Sequence, residues 1–192
     1  MQARLCSVGG TFLTTTGSVW VFGYGSLIWR PDFPFAQRQR ARIDGWSRRF
    51  WQGSHDHRGT PDAPGRVVTL VPAPGAYCDG VAYLIDHAVF DHLDHREKNG
   101  YERHDVDLQF ADARAGGVVY IAHRDNPAFL GDSPSDAVAL QILNSRGPSG
   151  TNREYLYELA AALRNLDVDD AHVFELEAHV KALEADGYSP AA

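Results

Sequence analysis

Residues 19–29 read Val-Trp-Val-Phe-Gly-Tyr-Gly-Ser-Leu-Ile-Trp, an apolar run that changes to alternating glycines and then becomes apolar again. β-Branched and aromatic residues dominate its first part, which predicts a short buried strand over residues 19–22 that ends at Gly23. Gly23 and Gly25 let the backbone turn without a Cβ penalty, so successive N–H groups and the Ser26 hydroxyl can converge on a carboxylate or a carbonyl oxygen. The alternative is a tight strand exit with a packed tyrosine.

Known glycine-loop motifs do not describe this stretch. A dinucleotide fingerprint that begins at Gly23 needs glycine where the chain has Ile28, and a P-loop needs a Gly-Lys-Ser/Thr sequence that is absent. Ser26 does not fit a nucleophile elbow, because Tyr24 and Ile28 occupy the positions of the flanking glycines. A backbone loop that binds an anion or a carbonyl group is the functional interpretation that remains.

Length and composition predict one domain with one hydrophobic core. The chain has 192 residues, 44% hydrophobic and 22% charged, which suffices for one well-buried core and is short for two. Its net charge of -7 argues against a nucleic-acid or membrane-surface partner, because both favour a basic face. One cluster of arginines within residues 38–49 is basic, and it forms either a solvated, salt-bridged face or a site for acidic groups. Its members are Arg38, Arg40, Arg42, Arg48 and Arg49.

The cysteine content and the hydropathy of the sequence indicate in which cellular compartment the protein is expected. Cys6 and Cys78 are too few for a disulfide framework and lack the spacing of a metal pair, so a reducing cytoplasm is the expected location. Residues 1–18 mix their apolar residues with Gly, Ser and Thr, which predicts a poorly structured leader rather than a targeting signal. No segment approaches the ~18 consecutive apolar residues of a transmembrane helix.

Six short strands are predicted from β-branched and aromatic runs that lie between turn signals. Arginines in the second of them favour an edge position. The segment 53–65 is rich in prolines and glycines that resist both helix and strand, and loops of this length are often functional. The strands are expected at residues 19–22, 46–52, 67–71, 80–85, 104–110 and 117–123.

Helix signals concentrate in the second half of the chain. Ser133-Pro-Ser-Asp136 offers a capping hydroxyl, a proline at the first helical position and an acid in the first turn, ahead of residues 137–143. Thr151-Asn-Arg-Glu154 is a capping box before a face of leucines, and a last helix follows Asp169. Because strands come mainly first and helices last, we expect an α+β fold in a single domain over residues 19–186.

A helix over residues 87–98 directs a carboxylate toward the core. Asp86 can cap its start, and Gly100 suits the left-handed conformation beyond its end. Glu97 lies four residues after the apolar Leu93, only ~40° away around the helix at ~100° per residue, and so takes a core-facing position. The buried face comprises Val89, Phe90 and Leu93, whereas Asp91, Asp94, His95 and Lys98 point largely away from it.

A carboxylate that faces the core must be paired, hydrogen-bonded or kept protonated with a raised pKa. Glu97 is therefore either the structural partner of a buried arginine or a general acid and base, since a desolvated glutamate that titrates near neutrality can take and return a proton. Tyr155 lies at the margin of the leucine face of its helix, where it either lines a pocket or packs as an ordinary aromatic residue.

The histidines do not predict a metal site. His92 and His95 are three residues apart, but they lie off the apolar face of their helix and no third ligand is indicated by spacing. His55 and His57 lie in the predicted loop, where they are ligands, substrate contacts or solvated side chains. We expect no metal.

Several long blocks of the sequence resemble one known family. They are Val21-Phe-Gly-Tyr-Gly-Ser-Leu27, Ser54-His-Asp-His-Arg-Gly-Thr-Pro61, Pro64-Gly-Arg-Val-Val-Thr-Leu70, His95-Arg-Glu-Lys-Asn-Gly-Tyr101, Asp125-Asn-Pro-Ala-Phe-Leu-Gly131 and Gly147-Pro-Ser-Gly-Thr-Asn-Arg-Glu-Tyr-Leu156. Together they span about residues 19–183 in order and resemble the ChaC family of glutathione-specific γ-glutamylcyclotransferases. Residues 1–18 precede the place where such proteins often begin, and Asn99 stands where many members have glycine.

The resemblance implies a small mixed or antiparallel β-barrel of about six strands with helices packed around it, and neither metal nor organic cofactor. It implies that Glu97 is the catalytic carboxylate and that Tyr155 is a pocket tyrosine. The segment expected to grip the γ-glutamyl end of the substrate consists of Val21, Phe22, Gly23, Tyr24, Gly25 and Ser26. For the cysteinylglycine half of the substrate we expect contacts from His55, Asp56, His57 and Arg58.

The reaction that the resemblance implies is an internal aminolysis of glutathione. The α-amine of the glutamyl residue attacks its own γ-carbonyl carbon, closes a five-membered lactam and releases 5-oxoproline and cysteinylglycine, so no enzyme nucleophile is needed. Two alternatives remain: a cyclotransferase for other γ-glutamyl amino acids or amines, and a non-catalytic regulator that binds a γ-glutamyl compound or a protein partner. The sequence does not define the oligomeric state.

Overall fold

The computed structural model describes residues 17–96 and 100–188. Five strands form a closed barrel in the order β1-β3-β2-β4-β5. β1 pairs antiparallel with β3 and parallel with β5, so the barrel is mixed, and the predicted α+β class with a mixed barrel is confirmed. The strands are β1 Ser18–Gly23, β2 Gln37–Ser54, β3 Gly65–Asp86, β4 Tyr101–Gln109 and β5 Arg114–Ala122.

The barrel has five strands because two predicted strands, 67–71 and 80–85, are the two ends of β3. The intervening Pro-Ala-Pro-Gly sequence indicates a turn, but Asp44 and Trp46 of β2 pair with Tyr77 and Pro72 on either side of a register shift. The proline-rich residues therefore bulge opposite β2 without ending the strand.

The C-terminal end of β2 pairs with β3 on one side and bonds to a loop on the other. Gly53 N donates to Ala128 O at 2.7 Å, and Leu130 N donates to Trp51 O at 2.8 Å. The predicted edge position is wrong, because β2 lies between β3 and β4 in the closed barrel, and the 128–130 loop bonds to its C-terminal end.

The first helical segment is a 3-10 turn, His87–Val89, followed by α1, Phe90–Arg96. The Asp86 side chain accepts a hydrogen bond from Ala88 N at 2.8 Å, which confirms the predicted cap. Gly100 has a φ of 91°, as expected for a glycine that follows a helix. Residues 97–99, which include Glu97 and Lys98, lie outside the described residues.

The helix α2, Ser135–Asn144, begins one residue later than predicted. Pro134 occupies the cap position and Ser133 does not cap the helix. The Ser133 hydroxyl instead donates to Asp132 O at 2.8 Å and accepts from the Arg66 guanidinium at 3.0 Å. The predicted Ser133 cap is wrong because a tertiary contact with β3 competes for the hydroxyl.

The last two helices are α3, Asn152–Asn165, and α4, Ala171–Ala185. The Thr151 hydroxyl accepts from Glu154 N at 3.3 Å, which confirms the capping interaction. Asp170 caps α4 by accepting from Val173 N at 3.1 Å, and the helix follows Asp169 as predicted. The buried faces of these helices include Leu156, Leu159, Leu163, Val173, Leu176 and Val180, all fully buried.

β1 begins at Ser18, so this residue of the expected leader is part of the barrel. Residues 1–16 of that segment lie outside the described residues. Within the described residues, no helix is both long and apolar enough to cross a membrane.

Candidate active site

The glycine loop, residues 23–28, leaves β1 and contains a 3-10 turn at Ser26–Ile28. Gly25 has a φ of -120°, so a left-handed backbone is not the reason for glycine at this position. A Cβ atom at Gly25 would lie 3.0 Å from both the Tyr155 hydroxyl oxygen and Val68 Cγ2. Glycine suits this position because α3 and β3 approach the loop closely, and a Cβ atom would push on both neighbouring side chains.

Tyr155 joins the glycine loop to the barrel and the helices. Its ring makes edge contacts with Trp29 and Phe50, at centroid distances of 5.4 and 6.0 Å. Its hydroxyl oxygen accepts from Val68 N at 3.5 Å. Tyr155 is therefore a packed aromatic residue, and its hydroxyl lies beside the loop.

A fully buried arginine holds the start of the glycine loop. Arg48 Nε donates to Tyr24 O at 2.7 Å, its Nη2 donates to Asp79 O at 2.5 Å, and its Nη1 pairs with the Asp170 carboxylate at 2.5 Å. Burial acts to lower the pKa of Arg48, but the charge of Asp170 and its hydrogen bond contribute to holding that pKa above its usual value. The guanidinium remains charged and links β2, the loop and α4.

Tyr83 and Arg38 hold the other end of the loop. The Tyr83 hydroxyl donates to Leu27 O at 2.7 Å, and Arg38 Nη2 donates to Ile28 O at 3.2 Å. Burial raises the pKa of Tyr83, so the phenol stays neutral and keeps its proton for this hydrogen bond. Both carbonyl groups at the end of the 3-10 turn are thus satisfied by residues of the barrel.

A second loop, residues 54–58, lies across from the glycine loop. The Ser54 hydroxyl accepts from Arg58 N at 3.0 Å, which closes the loop on itself. Arg58 Nη1 donates to Thr151 O at 3.1 Å and pairs with the Glu154 carboxylate at 2.8 Å. Arg58 is mostly buried, so the start of α3 fixes its position.

The hairpin of β6, Arg146–Gly147, and β7, Gly150–Thr151, braces this second loop. Ser149 N donates to His57 O at 2.9 Å, and the Ser149 hydroxyl lies 3.1 Å from His57 Nδ1. A Cβ atom at Gly147 would lie 2.4 Å from His57 O, so only glycine permits this approach. The His57 side chain is held in place although it is exposed.

The buried and exposed faces predicted for α1 and the turn before it are confirmed at every described position. Val89, Phe90 and Leu93 are buried, whereas Asp91 and the other described polar positions are exposed. Those other positions are His92, Asp94 and His95.

Contacts of α1 and β4 anchor both flanks of the 97–99 segment. The Asp94 carboxylate accepts from the Tyr120 hydroxyl at 2.6 Å and pairs with Arg103 at 3.3 Å. After the segment, the Tyr101 hydroxyl donates to Val68 O at 2.9 Å. The chain on both sides of Glu97 is therefore fixed to the barrel.

These elements surround one cleft of about 240 Å³. This volume is below the ~300–1,000 Å³ typical of sites for drug-sized ligands, so the cleft suits a small ligand. The glycine loop, the 54–58 loop, β4 and α3 all contribute to its walls. Side chains that line it include Ser26, His57, Arg58, Tyr101 and Tyr155.

The predicted substrate-binding residues occupy two kinds of position. Ser26 and Tyr155 line the cleft. The side chains of Val21, Phe22 and Tyr24 lie in the core, and the Tyr24 hydroxyl donates to Tyr120 O at 2.8 Å. Any contact of Val21 or Phe22 with a substrate would be through the backbone. The assignment of the whole 21–26 segment and of Glu97 stays a prediction.

Three of the four residues expected to contact the cysteinylglycine half of the substrate line the cleft. Asp56, His57 and Arg58 line the cleft, whereas His55 is not among its described lining residues. Their roles as substrate contacts also stay a prediction.

The basic group of the sequence does not form one surface. Arg40 and Arg42 are partly exposed and pair with Asp79 at 3.9 and 2.7 Å, which agrees with a salt-bridged face. Arg48 is buried and anchors the glycine loop. The sequence did not single it out, because an arginine-rich strand does not show which arginine faces inward.

Comparisons with known proteins agree with this architecture. A family model described as ChaC-like protein matches residues 19–183. A γ-glutamylcyclotransferase 2-3 of Arabidopsis thaliana is 44% identical over 85% of this chain and 89% of its own length. A glutathione-specific γ-glutamylcyclotransferase of Schizosaccharomyces pombe is 39% identical over 88% and 95%.

A solved structure extends the similarity to the fold. The crystal structure of a yeast γ-glutamyl cyclotransferase specific to glutathione superposes with a TM-score of 0.80 at 32% identity. The superposition covers 86% of this chain and 96% of the yeast chain. The family model covers more than half of the chain, and the relatives share more than 30% identity over most of it. The chain belongs to the ChaC-like family.

Proposed function

We propose that this protein cyclises the γ-glutamyl group of glutathione and releases 5-oxoproline and cysteinylglycine. The observation that carries the proposal is the 39% identity, over 88% of the chain, to a relative that is named glutathione-specific. The cleft supports it, since its walls come from the same segments that carry the resemblance. The reaction needs one small-molecule substrate and no metal or organic cofactor.

The proposed reaction forms one C–N bond and breaks another within the same molecule. The α-amine attacks the γ-carbonyl carbon, the peptide nitrogen of cysteine leaves, and one proton moves from the attacking amine to that leaving nitrogen. The cleft must fold the glutamyl chain so that amine and carbonyl meet, which is an orientation effect. Backbone N–H groups of the glycine loop stabilise the oxyanion of the tetrahedral intermediate.

Glu97 carries the proton in this proposal. It accepts a proton from the attacking amine and returns one to the leaving nitrogen, as a general base and then a general acid. The sequence predicts a core-facing position for Glu97, four residues after the buried Leu93, and that position stays a prediction.

Incubation of the purified protein with glutathione, followed by mass spectrometry, tests the proposal. We expect 5-oxoproline and cysteinylglycine in equal amounts. A non-catalytic regulator would bind glutathione, as measured by calorimetry, and leave it intact; that result would refute the enzymatic function.

Gly25→Val is expected to impair substrate binding more than folding. The added side chain would meet the Tyr155 hydroxyl and Val68, so the loop must shift at the cleft wall. We expect the KM for glutathione to rise at least about tenfold, which corresponds to ~1.4 kcal/mol. Steady-state kinetics beside a thermal melt measure the two effects separately.

The matched control for Gly25→Val is Gly116→Ala in β5, because a Cβ atom at Gly116 meets nothing within 4 Å. That variant should keep the parental KM. A folded Gly25→Val variant with the parental KM would contradict the role of the loop in substrate binding.

His57→Ala is expected to distinguish glutathione from other γ-glutamyl substrates. His57 lines the cleft and is positioned by Ser149, so we propose that it contacts the cysteinylglycine half. Loss of one such contact should raise the KM for glutathione about threefold to tenfold, or ~0.7–1.4 kcal/mol. Turnover of γ-glutamyl-alanine, measured in parallel, should change less.

Equal losses for both substrates would place His57 at the glutamyl end or in the folding of the loop. His179→Ala is the control, since His179 is an exposed histidine on α4 that does not belong to the described lining of the cleft, and it should keep the parental KM for both substrates.

The cytoplasmic location and the single domain over residues 19–186 are part of the same proposal. A free, buried Cys78 is consistent with a reducing compartment. Burial raises the pKa of the Cys78 thiol to about 11, so it stays protonated and unreactive at neutral pH.

A further inference from the structure

Three side chains of metal-binding type converge outside the cleft. Glu102, His104 and His123 each offer one ligand atom, and these atoms lie within 4.8 Å of one another. The two imidazole rings face each other, with Nε2 atoms 2.6 Å apart and ring centroids 4.5 Å apart. The histidines are half-buried and the glutamate is exposed, so an ion can enter from solvent.

The pairing of β4 with β5 creates this cluster. Tyr101 pairs with Ala122 in the antiparallel ladder, so His123, the next residue of the chain, lies beside the start of β4. Successive side chains of a strand alternate between its faces. Glu102 and His104 therefore share the face opposite to Tyr101, which lines the cleft.

The two rings direct ligand atoms at the same space. Their Nε2 atoms are 2.6 Å apart, and a metal ion held between them would accept a lone pair from each imidazole. With Zn–N bonds of ~2.0–2.1 Å and tetrahedral geometry, the nitrogens would stand about 3.3 Å apart, which requires them to separate by about 0.7 Å.

We propose that Glu102, His104 and His123 bind one Zn²⁺ ion, with water completing the coordination. Two imidazoles and one carboxylate suit zinc, whereas Mg²⁺ and Ca²⁺ prefer oxygen ligands. The sequence does not indicate this cluster, because its two histidines are 19 residues apart, unlike the closely spaced pairs His92 with His95 and His55 with His57. The site is independent of the proposed reaction and does not require glutathione.

Titration calorimetry of the tag-free protein, freed of metal with a chelator, tests the site. We expect one Zn²⁺ per chain and no comparable heat with Mg²⁺. His104→Ala and His123→Ala should each weaken Zn²⁺ binding at least about tenfold, since even outer-shell changes at metal sites cost 10–100-fold. Co²⁺ should give the visible absorption bands of a tetrahedral site, and these should be lost in both variants.

His179→Ala is the control, because His179 is an exposed histidine on α4 that does not belong to the cluster. It should bind Zn²⁺ like the parent. If a histidine variant fails to fold, as judged by circular dichroism, Glu102→Gln provides the test at an exposed position. Absence of binding by the parent, or binding that none of the folded ligand variants weakens, would overturn the proposal.

Discussion

Glu97→Gln is expected to slow the release of 5-oxoproline from glutathione by about 10²–10⁴-fold, the range for loss of a general acid and base. Glutamine has nearly the same size and can accept a hydrogen bond, but it cannot take the proton of the attacking amine. Binding of glutathione should change far less than the turnover number. Single-turnover kinetics with mass-spectrometric detection, together with calorimetric binding, separate the two quantities.

The matched control is Asp91→Asn, which removes a carboxylate from an exposed position of α1. It should retain parental turnover. If Glu97→Gln turned over glutathione like the parent, another group would have to move the proton. If it failed to fold, Glu97 would be the structural partner of a buried arginine, which is the alternative that the sequence left open.

Arg48→Met is expected to lower the free energy of unfolding by about 3–5 kcal/mol, as for other buried ion pairs that lose one partner. The substitution leaves the Asp170 carboxylate without this cation and removes the hydrogen bonds to Tyr24 O and Asp79 O. For a chain of this size we expect the melting temperature to fall by about 10 °C. Since Tyr24 lies in the glycine loop, kcat/KM for glutathione should fall as well.

Arg40→Met is the control for Arg48→Met. Arg40 is partly exposed and 3.9 Å from Asp79, so its loss should change the free energy of unfolding by no more than about 1 kcal/mol. Denaturant unfolding and activity, measured on both variants, give the comparison. Equal effects of the two substitutions would mean that burial of Arg48 has no special role.

Local signals predicted those parts of the fold in which neighbouring residues interact. The Thr151 cap and the Asp86 cap depend on side chains within three residues of their partners, and both appear in the structure. The Ser133 cap failed because Arg66, distant in the sequence, bonds the same hydroxyl. The bulge in β3 resembles a turn in the sequence, because its prolines and glycine do not reveal the partner strand.

The same distinction applies to the cleft. The glycines of the loop stood out in the sequence, but the reason for Gly25 is the proximity of Tyr155, which α3 supplies far along the chain. The burial of Arg48 and the meeting of His104 with His123 also depend on strand register. Register follows from long-range pairing, so composition and periodicity do not reveal it.

The parallel pairing of β1 with β5 has a consequence for protein synthesis. The glycine loop is synthesised before both of the elements that it needs, because Val118 of β5 pairs with Val21 of β1 and Tyr155 of α3 lies against Gly25. Pairing over such distances along the chain is slow compared with local contacts. A nascent chain that ends before Tyr155 therefore has no complete cleft, and the proposed activity can appear only late in translation.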